Sequence, residues 1–127
     1  IAGTIEFRKG QDIFVDAIAL LPKHVREKCR FVIVGKLWKP WQKYWKKIEE
    51  KIEFFPEIKY VGSLEHNALL HMISMADVLV CCSRDEPASL VVTEAAMLSK
   101  PSILNERIGS AEVLERSIFG GANSCRL

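Results

Sequence analysis

No apolar run in this chain approaches the roughly 20 residues that a membrane helix needs, because Asp77 interrupts the best stretch and Glu94 the next. No basic segment precedes an apolar core near Ile1, so a secretory leader is not expected. Charge of one sign is scarce as well. The formal net charge of +2 predicts no general attraction to polyanions, and hence no nucleic acid partner. Cys29, Cys81, Cys82 and Cys125 lack the short paired spacing of structural zinc sites, so no bound metal is expected. Cys81 and Cys82 are neighbours on an expected strand, where they face opposite sides and act as small apolar residues. Thiols of that kind point to a reduced, cytoplasmic setting. Repeats, low-complexity tracts and linker-like segments are missing too, so residues 1–127 read as a single domain.

What the chain does have is material for a core. A hydrophobic share of 49% over 127 residues argues against disorder. Apolar periodicity then switches repeatedly between short runs and helical spacing. Strands are expected at residues 1–5, 30–35 ("RFVIVG"), 58–61, 78–82 and 101–104 ("PSIL"). Helices are expected at residues 11–21, from Trp41 to Pro56, at 67–75, at 90–98 and at 111–116. On the first of these, Ile13, Phe14, Ala17, Ile18 and Leu21 share a face, and Pro22 stops it. Strict alternation with short connections predicts an α/β fold, a doubly wound parallel sheet with helices on both faces.

In such a sheet, ligands bind where the carboxyl ends of strands meet the amino ends of helices. Four loops therefore matter: "GTIEFRKGQ", "GKLWKPW", "SRDEPAS" and "NERIGSAE". The first carries Arg8 and Lys9 just before Gly10 and a helix start. Cations beside free helix amides make a phosphate site, and the alternative is a solvated basic turn. In the third loop, Ser89 is placed to cap the next helix. That helix is apolar on most sides, which predicts burial, yet it contains Glu94. A buried carboxylate needs a partner. Either an internal cation receives it, or it accepts hydrogen bonds from ligand hydroxyls, for which a pair of sugar hydroxyls is a good match.

The segments "GTIEFRKGQD", "FVIVG", "YVGSL", "ADVLVCCSRDEPASLVVTEAAMLSKPSI" and "GSAE", in that order, resemble the carboxyl-terminal donor-binding domain of the family 4 glycosyltransferases, the glycosyl transferases group 1 family. The resemblance covers nearly the whole chain. Its most specific parts are Glu86 with Glu94, a Glu-x7-Glu pair, and the Lys9–Gly10 step. It implies a Rossmann-like half of a two-domain GT-B fold, with the amino-terminal acceptor domain outside this chain. It also implies transfer of a sugar from a nucleotide diphosphate sugar with retention of configuration, and no bound metal or other cofactor. By the same resemblance Lys9 meets the donor diphosphate and Glu86 the hydroxyls of the transferred sugar, which makes these two the catalytic candidates. Glu94 meets the ribose, and the backbone amides of Ser89 and Leu90 face the phosphates. Gly3 falls at the family's Gly-Arg step, where this chain has Thr4 in place of the arginine, so Arg8 is the candidate substitute cation. Pro87, Ala88 and Ser89 stand where many members carry glycines. The isolated chain is expected to bind donor without transferring sugar.

Two other readings compete. One is a noncatalytic partner-binding module, under which Glu94 pairs with an internal cation and Lys9 lies far from Glu86. The other is a different GT-B-like enzyme, such as a sugar nucleotide epimerase or a phosphorylase. Residues 35–47, "GKLWKPWQKYWKK", interleave three tryptophans with five lysines. Trp41, Tyr44, Trp45 and Ile48 make a helical stripe suited to packing on the sheet, whereas Trp38 falls outside it. Peripheral contact at the inner face of the membrane is left open by this segment. His24 reads as surface, and His66 and His71 are placed too far round a helix to chelate together. No catalytic base is assigned.

Overall fold

The computed structural model describes residues 1–105, 108 and 125–126. The chain divides into two compact units, Ile1–Leu64 and Glu65–Leu127.

The first unit is organised around parallel pairing. Strand β1 (Phe31–Ile33) runs parallel to β2 (Ile58–Tyr60), with Phe31 opposite Ile58 and Ile33 opposite Tyr60. The opening segment lies along the same chain stretch through parallel bridges, Ala2 to Val34 and Ile5 to Leu37. The paired strands are shorter than the apolar runs that encode them. Helix α1 (Gln11–Leu20) buries Gln11, Phe14, Val15 and Ile18, which are spaced i, i+3, i+4 and i+7. Ile13 and Ala17, expected on the buried face, are instead exposed. The stripe is rotated because polar Gln11 joins it, its Nε2 donating to the Thr4 carbonyl at 2.9 Å. A short helix that the sequence reading missed, α2 (Lys23–Arg26), follows Pro22. Helix α3 (Gln42–Ile52) begins after a 3-10 turn at Lys39–Trp41, so Trp41 precedes the helix proper.

Aliphatic side chains fill most of this unit's core, and ring pairs and the Arg26–Glu57 ion pair add to it. Trp45 and Ile48 are buried as the stripe predicts, and the Trp45 and Tyr60 rings lie 4.3 Å apart. Phe14 meets Phe31 edge-on at 6.2 Å. The Tyr60 hydroxyl donates to the Gly35 carbonyl at 2.9 Å, and burial, then Glu49, raises its pKa. Arg26 donates from Nε to Glu57 Oε1 at 3.2 Å, while its guanidinium lies 4.8 Å over the Phe55 ring. Glu57 is buried, and its Oε2 has no hydrogen-bond partner among the described residues. A backbone hydrogen bond at Glu57 holds its carboxyl below the ordinary value; burial opposes this and Arg26 reinforces it.

The second unit has a parallel sheet in the order β3 (Leu79–Cys81), β4 (Ser102–Leu104), β5 (Cys125–Arg126). Strand β5 was not expected from the sequence. Helices α4 (His66–Met75) and α5 (Leu90–Met97) fall close to the expected spans. The core is aliphatic and small: Ile73, Leu79, Cys81, Val92, Ala95, Leu104 and Ile108. After α5, Ser99 takes a left-handed φ of 56°. Its N–H donates to the Ala96 carbonyl and that of Lys100 to the Ala95 carbonyl, the paired bonds of a Schellman stop, with Pro101 next. The helix expected at 111–116 and the "GSAE" segment lie outside the described residues.

No helix among the described residues is long and apolar enough to cross a membrane.

Candidate functional site

Gly3, Arg8 and Lys9 belong to the first unit. Gly3 has a φ of 147°, a backbone state suited to glycine, and its N–H donates to Val34 at 3.0 Å. A Cβ on Gly3 would stand 3.5 Å from Lys9 Cδ, so the lysine stem lies across the glycine. A Cβ on Gly35 would stand 1.9 Å from the Gly3 carbonyl oxygen, which only a glycine at position 35 permits. Phe7–Lys9 form a 3-10 turn that Gly10 closes at a φ of 72° before α1 begins. A side chain in that state costs about 1–2 kcal/mol. Beneath the turn, the Gln11 bond to Thr4 ties the loop to the helix, and the Tyr44 hydroxyl donates to Asp12 Oδ1 at 2.8 Å. Lys9 is thus placed by backbone shape. Arg8 directs Nη2 to Glu6 Oε1 at 2.9 Å, in a pair open to solvent.

Glu86, Ser89, Leu90 and Glu94 belong to the second unit. The loop that leaves β3 turns inward at Ser83 (1% exposed), Glu86 (7%) and Ser89 (4%), while Asp85, Pro87 and Ala88 face solvent. Ser83 Oγ donates to Glu86 Oε2 at 3.5 Å. Cys81 Sγ stands 3.6 Å from Ser83 Oγ and 4.0 Å from Ser89 Oγ. Asn105 Nδ2 donates to the Ser83 carbonyl at 3.3 Å, and Glu86 makes a parallel bridge with Ile108.

Ser89 occupies the N-cap position of α5, but its hydroxyl does not cap the helix, contrary to expectation. It turns toward Cys81, and burial of the side chain explains why. Helix amides without a side-chain cap keep the partial positive charge that favours an anion. Leu90, the first residue of α5, is largely exposed.

Glu94 also departs from expectation. Its side chain is 22% exposed, and α5 buries only Val92, Ala95 and Ala96 while Leu90 and Met97 face out. An apolar helix was read as a buried one, yet apolar side chains on a surface are common. The carboxylate sits between the two faces and escapes the penalty of full burial. Its Oε1 lies 3.7 Å from Nε2 of His66, an imidazole that is 64% exposed and charged only when protonated. Pairs that open to solvent contribute about 0–1 kcal/mol.

The structure therefore brings Gly3 together with Lys9, Glu86 with Ser83 and Cys81, and Glu94 with His66. Gln11 and Ser83 were missed, although Gln11 stands at the helical interval from Phe14, Val15 and Ile18. The contact of His66 with Glu94 joins α4 to α5, and no local pattern announces it. Trp38 is about half exposed, with Lys36 Nζ 4.3 Å over its ring.

The sequence model of the family described as "Glycosyl transferases group 1" matches residues 1–120. Alpha-D-kanosaminyltransferase of Streptomyces kanamyceticus is 25% identical over 118 residues, covering 93% of this chain and 30% of that protein. Granule-bound starch synthase 1 of Pisum sativum is 32% identical over 120 residues, covering 93% of this chain and 19% of that one. The chain thus spans less than a third of the length of either curated relative. Among solved structures, Anabaena HepE in complex with UDP and glucose superposes with a TM-score of 0.79 at 23% identity, covering 98% of this chain and 33% of HepE. That likeness supports the α/β, Rossmann-like half of a GT-B fold expected from the sequence.

Proposed function

Since the chain belongs to the glycosyl transferases group 1 family, we propose that residues 1–127 form the donor-binding domain of a retaining glycosyltransferase that uses a nucleotide diphosphate sugar. The observation that carries this reading is the loop after β3. It holds a buried carboxylate, Glu86, three residues before an α5 amino end that lacks a side-chain cap. A carboxylate accepts from sugar hydroxyls, and amides at a helix amino end donate to phosphate. HepE, of similar fold, is crystallised with UDP and glucose, which supports a donor of the same chemical class.

In this account Glu86 orients the transferred sugar by accepting from its hydroxyls. Glu94, partly exposed at the flank of α5, accepts from the ribose. The amides of Ser89 and Leu90 donate to the diphosphate. Lys9, held by the Gly3–Gly10 turn, adds a full positive charge as the leaving diphosphate gains negative charge, and this lowers the barrier to its departure. Arg8, engaged by Glu6, is the weaker candidate for a second cation. Leaving-group stabilisation by Lys9 and helix amides requires no bound metal. The acceptor is held by an amino-terminal domain outside this chain, in a cytoplasmic enzyme.

The alternative of a partner-binding module draws on the nearness of His66 to Glu94. An NMR titration with UDP-glucose separates the two readings. Amide shifts centred on residues 83–90 and 9–10 are expected. Shifts confined to residues 36–47 would contradict the donor assignment.

A further inference from the structure

Of the two carboxylates in the loop after β3, Asp85 is exposed and Glu86 is buried. A buried side chain that must meet a ligand in one orientation needs neighbours to hold it, and a row of three small polar groups leads to Glu86. Ser83 Oγ is 3.5 Å from Oε2, Cys81 Sγ is 3.6 Å from Ser83 Oγ, and Ser89 Oγ is 4.0 Å from Cys81 Sγ. A carboxylate only accepts hydrogen bonds, so its end of the chain sets a direction. Ser83 gives its proton to Glu86, which leaves its oxygen to accept from the Cys81 thiol. Asn105 fixes the same serine from its carbonyl side.

We propose that Ser83 is a positioning residue whose hydroxyl sets the orientation in which Glu86 meets the transferred sugar. This inference rests on the donor-domain reading above. Ser83 is 1% exposed, so it acts through Glu86 and not by touching the ligand. Because Glu86 serves the sugar and not the nucleotide, the effect of Ser83 is specific to the sugar-bearing ligand.

Calorimetric titration of the chain with UDP, GDP and ADP, and with the glucose ester of each, identifies the pair that binds. For that pair, Ser83→Ala is expected to weaken the nucleotide sugar about five- to tenfold while the bare diphosphate binds as before. Ser83→Cys, close in size and a weaker donor, is expected to recover part of the loss. Equal weakening of both ligands would mean a merely structural role and would overturn the proposal. An unchanged ratio in Ser83→Ala would overturn it as well, with the donor reading left standing. Failure of the unmodified chain to bind any of the six ligands would overturn the donor reading and this inference together.

Discussion

The two units hold their charged residues in opposite ways. In Ile1–Leu64 the loop that presents Lys9 is shaped by backbone: Gly3 and Gly10 at positive φ, Gly35 against the Gly3 carbonyl, and one buried amide from Gln11. In Glu65–Leu127 the loop that presents Glu86 is shaped by side chains, namely the buried Ser83, Cys81 and Ser89 and the half-buried Asn105. The difference follows from the length of the group being placed. A lysine carries its charge at the end of an apolar stem that can lie over a glycine. A glutamate has a short stem, so its carboxylate must be met by polar partners where it is buried. Aliphatic side chains fill both cores, and the first adds ring pairs and the Arg26–Glu57 ion pair.

Variants can break each side of this contrast. The largest effect is expected from Lys9→Ala, which should lower the transfer rate of the longer enzyme on the order of a hundredfold. Steady-state kinetics checks it, with the loss expected in kcat. Next comes Gly35→Ala, whose Cβ meets backbone that cannot turn aside. It should destabilise the first unit by about 1–3 kcal/mol, read by urea denaturation. Ser99→Gly tests the second unit in the stabilising direction. Relief of the left-handed strain at the end of α5 should add about 1 kcal/mol, seen as a higher denaturation midpoint.

Acidification has a smaller effect, and it acts on the first unit. The Glu57 carboxyl titrates below its ordinary value in the folded chain. The stability it contributes is therefore fully present above its unfolded pKa and is lost as pH falls through the folded one. Arg26→Gln should flatten that part of a stability profile between about pH 5 and pH 2. The smallest effect is expected from Trp38→Ala, which should leave nucleotide-sugar affinity unchanged by calorimetry.

These contrasts also show what the sequence makes legible. Strand and helix alternation was readable because apolar runs such as "FVIV" and the Trp45–Ile48 stripe are local patterns. Burial of Gln11 and exposure of Ile13 were not, since they depend on a hydrogen bond to Thr4, seven residues away. Glu86 was legible as a motif position, but its burial was not, because Ser83, which donates to it, is itself met by Cys81 of β3 and by Asn105 after β4. Glu94 misled for the reverse reason: the apolar residues around it suggested burial on all sides, and Leu90 and Met97 face solvent. Ser99 gave no signal at all, as serine is an uncommon choice for a left-handed helix stop.

The central claim is that this chain binds a nucleotide diphosphate sugar through carboxylates on and beside α5. Calorimetric titration with nucleotide diphosphate sugars, repeated with Glu94→Gln, tests it most directly. The account predicts saturable binding by the unmodified chain that the substitution weakens. Binding of equal strength in the two proteins would contradict the assignment of Glu94 to the ribose.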